Sequence, residues 1–514
     1  MAARPGTQAK LFIGRLLLVL GVLACGPAFA TDARKPLTTG DVRWLNRITY
    51  GIDSATVERY RLLGRPRFLE EQLRPDRLAV PADVQEAIAG LGVARKPAEQ
   101  LLAEAQAENQ RIQALPDDDA RQLARQAQNQ AANLAAAEAA RRHLLRALWS
   151  PAQVQEQMVW FWLNHFNVFQ GKGTLRWTVA DYEERAIRPH ALGRFQDLVM
   201  ATLTHPAMLV YLDNAQSAKG RINENHAREL LELHTLGVDG GYTQQDVQEL
   251  ARVLTGAGVN AGPAPRLKPE WLAGYRRSGC FEYNPARHDF GDKIVLGTPI
   301  PGEGFKEVER VVDLLAAQPA TARFVSRKLG LFWLGQEPPR ALVAAMAGTF
   351  QRTRGDIPAV LRVLFDSGPF KASLGSAFKD PMHFVASALR LAYDGKRPLN
   401  MTPVLGWLNA LGEPLYGHLT PDGYPLAAQA WSSPGQMAKR FEIARSIGGG
   451  NAGLFNGDDG KSTGNTGFPR LATRLYYEAL EATLSAPTRL ALDRASSQQE
   501  WNTFLLSSPD FMAH

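Results

Sequence analysis

The chain has 514 residues, 45% of them hydrophobic and 21% charged, enough for a large packed core in two or three domains or in one large helical one. Its formal charge of +7 falls by three, to +4, once Arg4, Lys10 and Arg15 of the first thirty residues are set aside. So small an excess, with no dense basic stripe carrying interleaved aromatics, argues against a nucleic-acid partner.

Those three basic residues precede an apolar run, Leu16 to Cys25, and Ala28-Phe29-Ala30 then supplies the small-x-small pattern of a cleavage site. A run of about ten residues is too short to cross a bilayer, so residues 1–30 read as a secretory signal. The mature protein is expected to be periplasmic or secreted, with no transmembrane helix after signal removal. Val22-Leu23-Ala24-Cys25-Gly26 is also a passable lipoprotein box, which gives the alternative of an anchor through Cys25. Under either reading Cys280 is the only ordinary thiol. No internal disulfide is then available, and stability must come from packing.

Residues 31–97 read as an N-terminal part of short helices with loops. The segments 98–114 and 117–149 form an Ala-, Gln- and Arg-rich helical arm spanning residues 98–149. Asp117-Asp118-Asp119 marks the second start, with acids where the helix dipole favours them. Leu123, Ala127, Leu134, Leu145 and Leu148 give that helix a sparse apolar stripe, so it is expected to lie over the body or project from it as a spacer or contact arm.

Residues 150–514 form the main helical domain. Ser150-Pro151, Asp380-Pro381, Thr402-Pro403 and Ser433-Pro434 each place a capping residue before a proline, and Ser497 with Glu500 forms a capping box. Apolar spacings of three and four predict helices over 308–316, 322–334, 341–350 and 357–365. Strand signal is confined to Lys293 to Leu296 and Cys280 to Tyr283, within a Gly- and Pro-rich loop at 256–304; Gly448 to Gly467 is a second such loop. The expected class is all-α: a large multi-helix domain with a long helical hairpin arm and at most one small β-hairpin.

Ionisable residues crowd between 160 and 293. Trp160-Phe161-Trp162-Leu163-Asn164-His165-Phe166 is an aromatic helix ending in an Asn-His pair; His165 is either a satisfied core histidine or a metal ligand or acid–base group. In the helix that follows Asn223, an angle of 100° per residue puts Asn225, Arg228, Glu229 and Glu232 in one narrow stripe, ahead of His234. Three readings stand: a solvated face with an ion pair, a buried polar network, or a metal or acid–base site built from Glu229, Glu232 and a histidine. Two carboxylates on adjacent turns can hold a hard cation, or split their pKa values so that one keeps its proton. Asp239 does not open an EF-hand, because Leu250 stands where a bidentate Glu is required. His288-Asp289 closes the long loop as a possible pair of metal ligands.

Asn164-His165-Phe166, the run Ile187 to Gly193, the run Asn223 to Gly256, His288 to Lys293 and Ser507 to Met512 together resemble the bacterial domain of unknown function 1800 family, over roughly residues 40–512. The segment Leu415 to Trp431 departs from the commoner family form. The resemblance implies an exported bacterial protein, often encoded beside a second exported family that is similar to sulfatases and alkaline phosphatases, and it implies no activity. Two functions are therefore expected in competition. One is a metal-assisted hydrolase of the envelope, with Glu229, Glu232 and His234 catalytic, Asn164, Asn225 and Arg228 binding ligand, and His165, His288 and Asp289 holding a divalent metal. The other is a non-catalytic binding or maturation partner of the co-encoded phosphatase/sulfatase-like protein.

Overall fold

The structure is a computed structural model that describes residues 37–457 and 467–514. The expected signal at 1–30 and the lipidation alternative at Cys25 lie outside the described residues. The class is all-α, and among the described residues the strands amount to five three-residue segments in two small sheets. Phe281–Tyr283 is the central strand of one, antiparallel to Ala257–Val259 and Arg276–Ser278; Lys293–Val295 pairs with Thr298–Ile300 in the other. The long 256–304 loop is therefore ordered by two sheets rather than one hairpin, because Tyr283, Val295 and Ile300 all find core to bury against.

The arm helices run Ala98–Ala114 and Asp118–Trp149, the second capped by Asp117, whose side chain accepts from the Ala120 amide at 2.7 Å. The expected stripe packs only at its end, where Leu145 and Leu148 are buried. Leu123 and Leu134 are 67% and 61% exposed, while Ala132, Ala135, Ala136, Ala139 and Ala140 are buried. Alanines at spacings of three and four let this helix approach Leu175–Asp181 closely, a contact that leucines would hold apart. Its first part, through Ala131, carries no buried residue.

Two helices occupy the centre. Gln153–His165 is buried at every position but Gln155, and Pro381–Tyr393 is buried throughout. Asp380 caps the second as its sequence predicts, accepting from the His383 amide at 2.7 Å, and Ser433, Ser497 and Thr243 cap their helices likewise. Ser150 and Thr402 do not: the aromatic helix starts only at Gln153, and it is Asn400 that accepts from the Thr402 amide.

Polar groups on such buried helices must find partners. Glu156 and Arg188 meet at 2.9 Å, and Arg188 also holds Glu183 at 2.8 Å. Glu183, with no exposed surface, further binds His143 at 3.1 Å and the Tyr416 hydroxyl at 2.5 Å. Burial opposes its charge, but His143, Arg188 and Arg142 outweigh that and hold the carboxyl well below its usual range. Glu183 sits in a π-helical segment, Tyr182–Ile187, and a second one, Leu230–Thr235, extends the helix Glu224–Glu229. The wider turn changes which residues share a face after Glu229. The described residues form one unit.

Candidate functional site

His165 and His234 meet where the aromatic helix ends. His165 donates through Nε2 to the His234 carbonyl at 3.1 Å, and the two rings stand 6.1 Å apart among Phe166, Phe195 and Phe324. That bond fixes the tautomer and leaves His165 Nδ1 as a bare acceptor without a partner; His234 Nε2 also lacks one. Burial, with Lys328 nearby, pushes both imidazoles well below their ordinary range, and burial alone takes His226 to about 4.

The acidic residues of the same helix lie further out. Arg228 stands 3.6 Å from Glu224 and 3.8 Å from Glu232 and donates to Gln244 at 2.7 Å, so the expected reach from Arg228 to Glu232 is present within a half-buried chain of charges. Glu229 is half-buried; burial and the neighbouring Glu232 raise its pKa. Asn225 is exposed and helps to shape the helix start, its amide donating to the Asn223 side chain at 2.8 Å.

His288 and Asp289 belong to a different place. His288 offers Nε2 to Glu307 at 2.9 Å and Nδ1 to the Thr255 carbonyl at 2.8 Å, and Lys293 reaches the other Glu307 oxygen at 2.5 Å. Asp289 is bound by Arg252 at 2.9 Å, which draws its pKa down to about 2. The expected metal set of His165, His288 and Asp289 is therefore not assembled: the two loop residues spend their ligating atoms on Thr255, Glu307 and Arg252. Among the described residues no three His, Cys, Asp or Glu side chains are placed to share an ion.

Asn164 is not open to a ligand either. It holds a strap, residues 415–431, that crosses the end of the aromatic helix. Its Nδ2 donates to the Tyr424 carbonyl at 2.9 Å and its Oδ1 accepts from the Tyr424 amide at 2.6 Å. Asn167 holds the same strap through the His418 and Thr420 carbonyls, at 3.1 and 2.8 Å. The strap approaches so closely at Gly423 that a Cβ there would stand 2.2 Å from the Asn164 carbonyl oxygen, and the backbone is left-handed at that point, φ 76°.

Beneath the strap is a group that the sequence reading passed over. A small cavity, about 20 Å³ at water centres, is lined by Asp380, Glu413, His383 and His514, walled by Trp160, Phe332 and Phe378 and roofed by Leu426 and Trp431 of the strap. That is room for one water molecule. Asp380 and Glu413 both sit at the head of the helix Pro381–Tyr393: Glu413 accepts from the Met382 amide at 2.9 Å and Asp380 from the next amide, that of His383. The helix terminus favours negative charge there, but the buried Glu413 and the part-buried Asp380, both drawn to that one terminus, cannot both ionise cheaply. Burial opposes the Asp380 charge, yet the His383 ring, 2.8 Å from Oδ2, outweighs it and keeps that carboxyl below its usual range. Burial and the Asp380 charge push Glu413 well above. His383 is steadied on its other side by Gln157 at 3.0 Å, and Lys379, behind the pair, is brought down by burial to about 7. The available signal was Lys379-Asp380-Pro381-Met382-His383, three ionisable residues at the head of a helix whose remainder carries one charged side chain, Arg390.

Fold and site thus define an all-helical protein with a water-sized polar cavity between two buried helices, closed by a strap. The chain belongs to the family described as protein of unknown function (DUF1800), whose model matches residues 43–513. No curated protein and no solved structure matches it. No helix among the described residues is long and apolar enough to cross a membrane.

Proposed function

We propose that the protein is an exported enzyme of the cell envelope, of hydrolase type, whose proton transfers run through Asp380 and Glu413. The observation that carries this reading is the pair itself: two carboxyls lining one cavity and bound to adjacent amides of one helix head, with burial and the Asp380 charge favouring the proton on Glu413. Asp380, 18% exposed, accepts a proton from the attacking water, the one molecule the closed cavity holds, as the water oxygen bonds to a substrate that gains access when the strap lifts. Glu413 gives its proton to the leaving group as that bond breaks. The two carboxyls then hold exchanged protons, and return of one proton resets them. This moves the chemistry from Glu229, Glu232 and His234 to the neighbouring cavity. Metal analysis of the purified protein, repeated on Glu229→Ala, decides whether a divalent ion contributes as well. The direct test is turnover of a panel of p-nitrophenyl esters, phosphates and glycosides by the mature chain. Asp380→Asn, which keeps a capping side chain but removes the base, is expected to lower the rate about 10²–10⁴-fold with the fold intact. Equal rates in the two proteins would overturn the assignment.

A second reading is favoured by the arm. Its solvent-facing first part and the exposed Leu123 and Leu134 suit attachment of the co-encoded phosphatase/sulfatase-like protein. Under this reading the two exported proteins co-purify, and Leu123→Glu with Leu134→Glu abolishes the association without altering the helical spectrum. Absence of any complex between the unaltered proteins would remove it.

A further inference from the structure

At the base of the arm lies an open cleft of about 430 Å³, remote in sequence from the strap and its cavity. Three separate elements bring cations to it: Arg95 and Lys96 from the segment before the first arm helix, Arg142 and Arg146 from one face of the second, and Arg185 from the π-helical segment. Trp177 contributes an aromatic wall. The lining holds two acids, Asp181 and Glu184, and both act as braces. Glu184 accepts from Arg146 at 2.7 Å and lies 3.4 Å from Arg142; Asp181 lies 3.0 Å from Arg185. Outside the cleft, Glu99 holds Arg185 at 2.9 Å and Glu104 holds Lys96 at 2.7 Å. Arg95 turns to the Ala89 and Gly90 carbonyls and has no carboxylate partner.

A guanidinium carries five N–H donors, and these contacts use about two on each arginine. Arg142 and Arg146 therefore keep donors in set orientations, while Arg95, Lys96 and Arg185 reach the cleft from exposed positions, and more positive than negative charge faces its space. Arg142 is 5% exposed and pinned by the Ala180 carbonyl, so it cannot swing out to be solvated. Preset, part-satisfied guanidiniums of this kind fit tetrahedral oxyanions, which they bind through paired hydrogen bonds. The positive field is felt by Glu184: burial opposes its charge, but Arg146 and Arg142 more than compensate and lower its pKa.

We infer that this cleft is a binding site for an oxyanion ester, a phosphate or sulfate group carried on a sugar-sized body that rests against Trp177. The site stands apart from the acid–base cavity, and its test is an equilibrium measurement that does not depend on turnover. The probes are glucose 6-phosphate, glucose 6-sulfate and inorganic phosphate, titrated calorimetrically into the mature chain at low and at physiological salt. At least one ester binds saturably, with a dissociation constant of about 1 mM or tighter, and more weakly as salt rises. Preference between the two esters identifies the source of the oxyanion. The double variant Arg95→Gln, Lys96→Gln, both exposed and outside the core, weakens binding about tenfold. Arg146→Gln, checked for an unchanged melting temperature, weakens it further. No saturable binding of either ester up to about 10 mM, or affinity unchanged in the Arg95 and Lys96 double variant, overturns the inference; at 10 mM a contact would be worth no more than a nonspecific encounter.

Discussion

Glu413→Gln is expected to make the protein more stable and at the same time inactive. The sign follows from linkage. In the folded state burial and the Asp380 charge hold the Glu413 pKa well above 4.5, whereas in the unfolded chain the side chain titrates at its ordinary value. Below about pH 4 both states are protonated, and the group is neutral to stability. As pH rises past that value the unfolded chain ionises while the folded one does not, and stability falls until the folded pKa is reached. A glutamine never ionises, and its carbonyl can still accept from the Met382 amide. The variant should therefore melt about 1–3 °C higher at pH 7.5 and show no gain at pH 4. Its turnover should drop about 10²–10⁴-fold, because the amide has no proton to give. A residue that merely capped the helix would produce neither the pH-dependent gain nor the loss of rate. A melting temperature unmoved at both pH values would sink the claim that Glu413 is held protonated.

A larger effect on stability is expected from acid. His165, His226 and His234 are buried neutral, with pKa values driven below 6.5, to about 4 for His226. Above pH 6.5 neither state carries a proton on these rings and the fold keeps its full stability. Below it the unfolded chain takes up protons that the folded chain refuses, and stability falls with pH. Each ring costs roughly 1.4 kcal/mol per pH unit, so three cost roughly 4. Against a typical total of about 5–15 kcal/mol, unfolding in urea should move to much lower denaturant between pH 6.5 and 5, well above the range where Asp289 or Asp380 titrates. His226→Gln should flatten the slope by about a third. Stability constant from pH 7 to 5 would show that the rings are solvated or already charged.

The elements themselves were largely legible. Aspartate before proline gave the start of the Pro381–Tyr393 helix, and alanine-rich composition gave both arm helices. The packing face of the arm was legible only at Leu145 and Leu148, since hydrophobicity ranks leucine above alanine while close approach to Leu175–Asp181 rewards the smaller side chain. The candidate site was only half legible. The meeting of His165 with His234 is a convergence the residue types suggested, though nothing in their spacing could give the contact. The stripe drawn through Glu229 and Glu232 assumed a regular helix, and the π segment from Leu230 onward breaks that assumption. Asp380 was legible as a cap and invisible as an acid. Its partner Glu413 and its neighbour His514 come from distant segments, brought together only by burial of the helices between them.

The tie between Asn164 and the strap has a consequence for how this family can vary. The amide of Asn164 is spent on Tyr424, and the space beside its carbonyl exists only because residue 423 has no side chain. A Cβ at residue 423 would meet the backbone carbonyl of residue 164, which every residue carries, so a chain that lengthens residue 423 must reroute the roof of the cavity. Differences among relatives in this stretch would then reshape that roof while leaving the helical frame, and the carboxyl pair beneath it, in place.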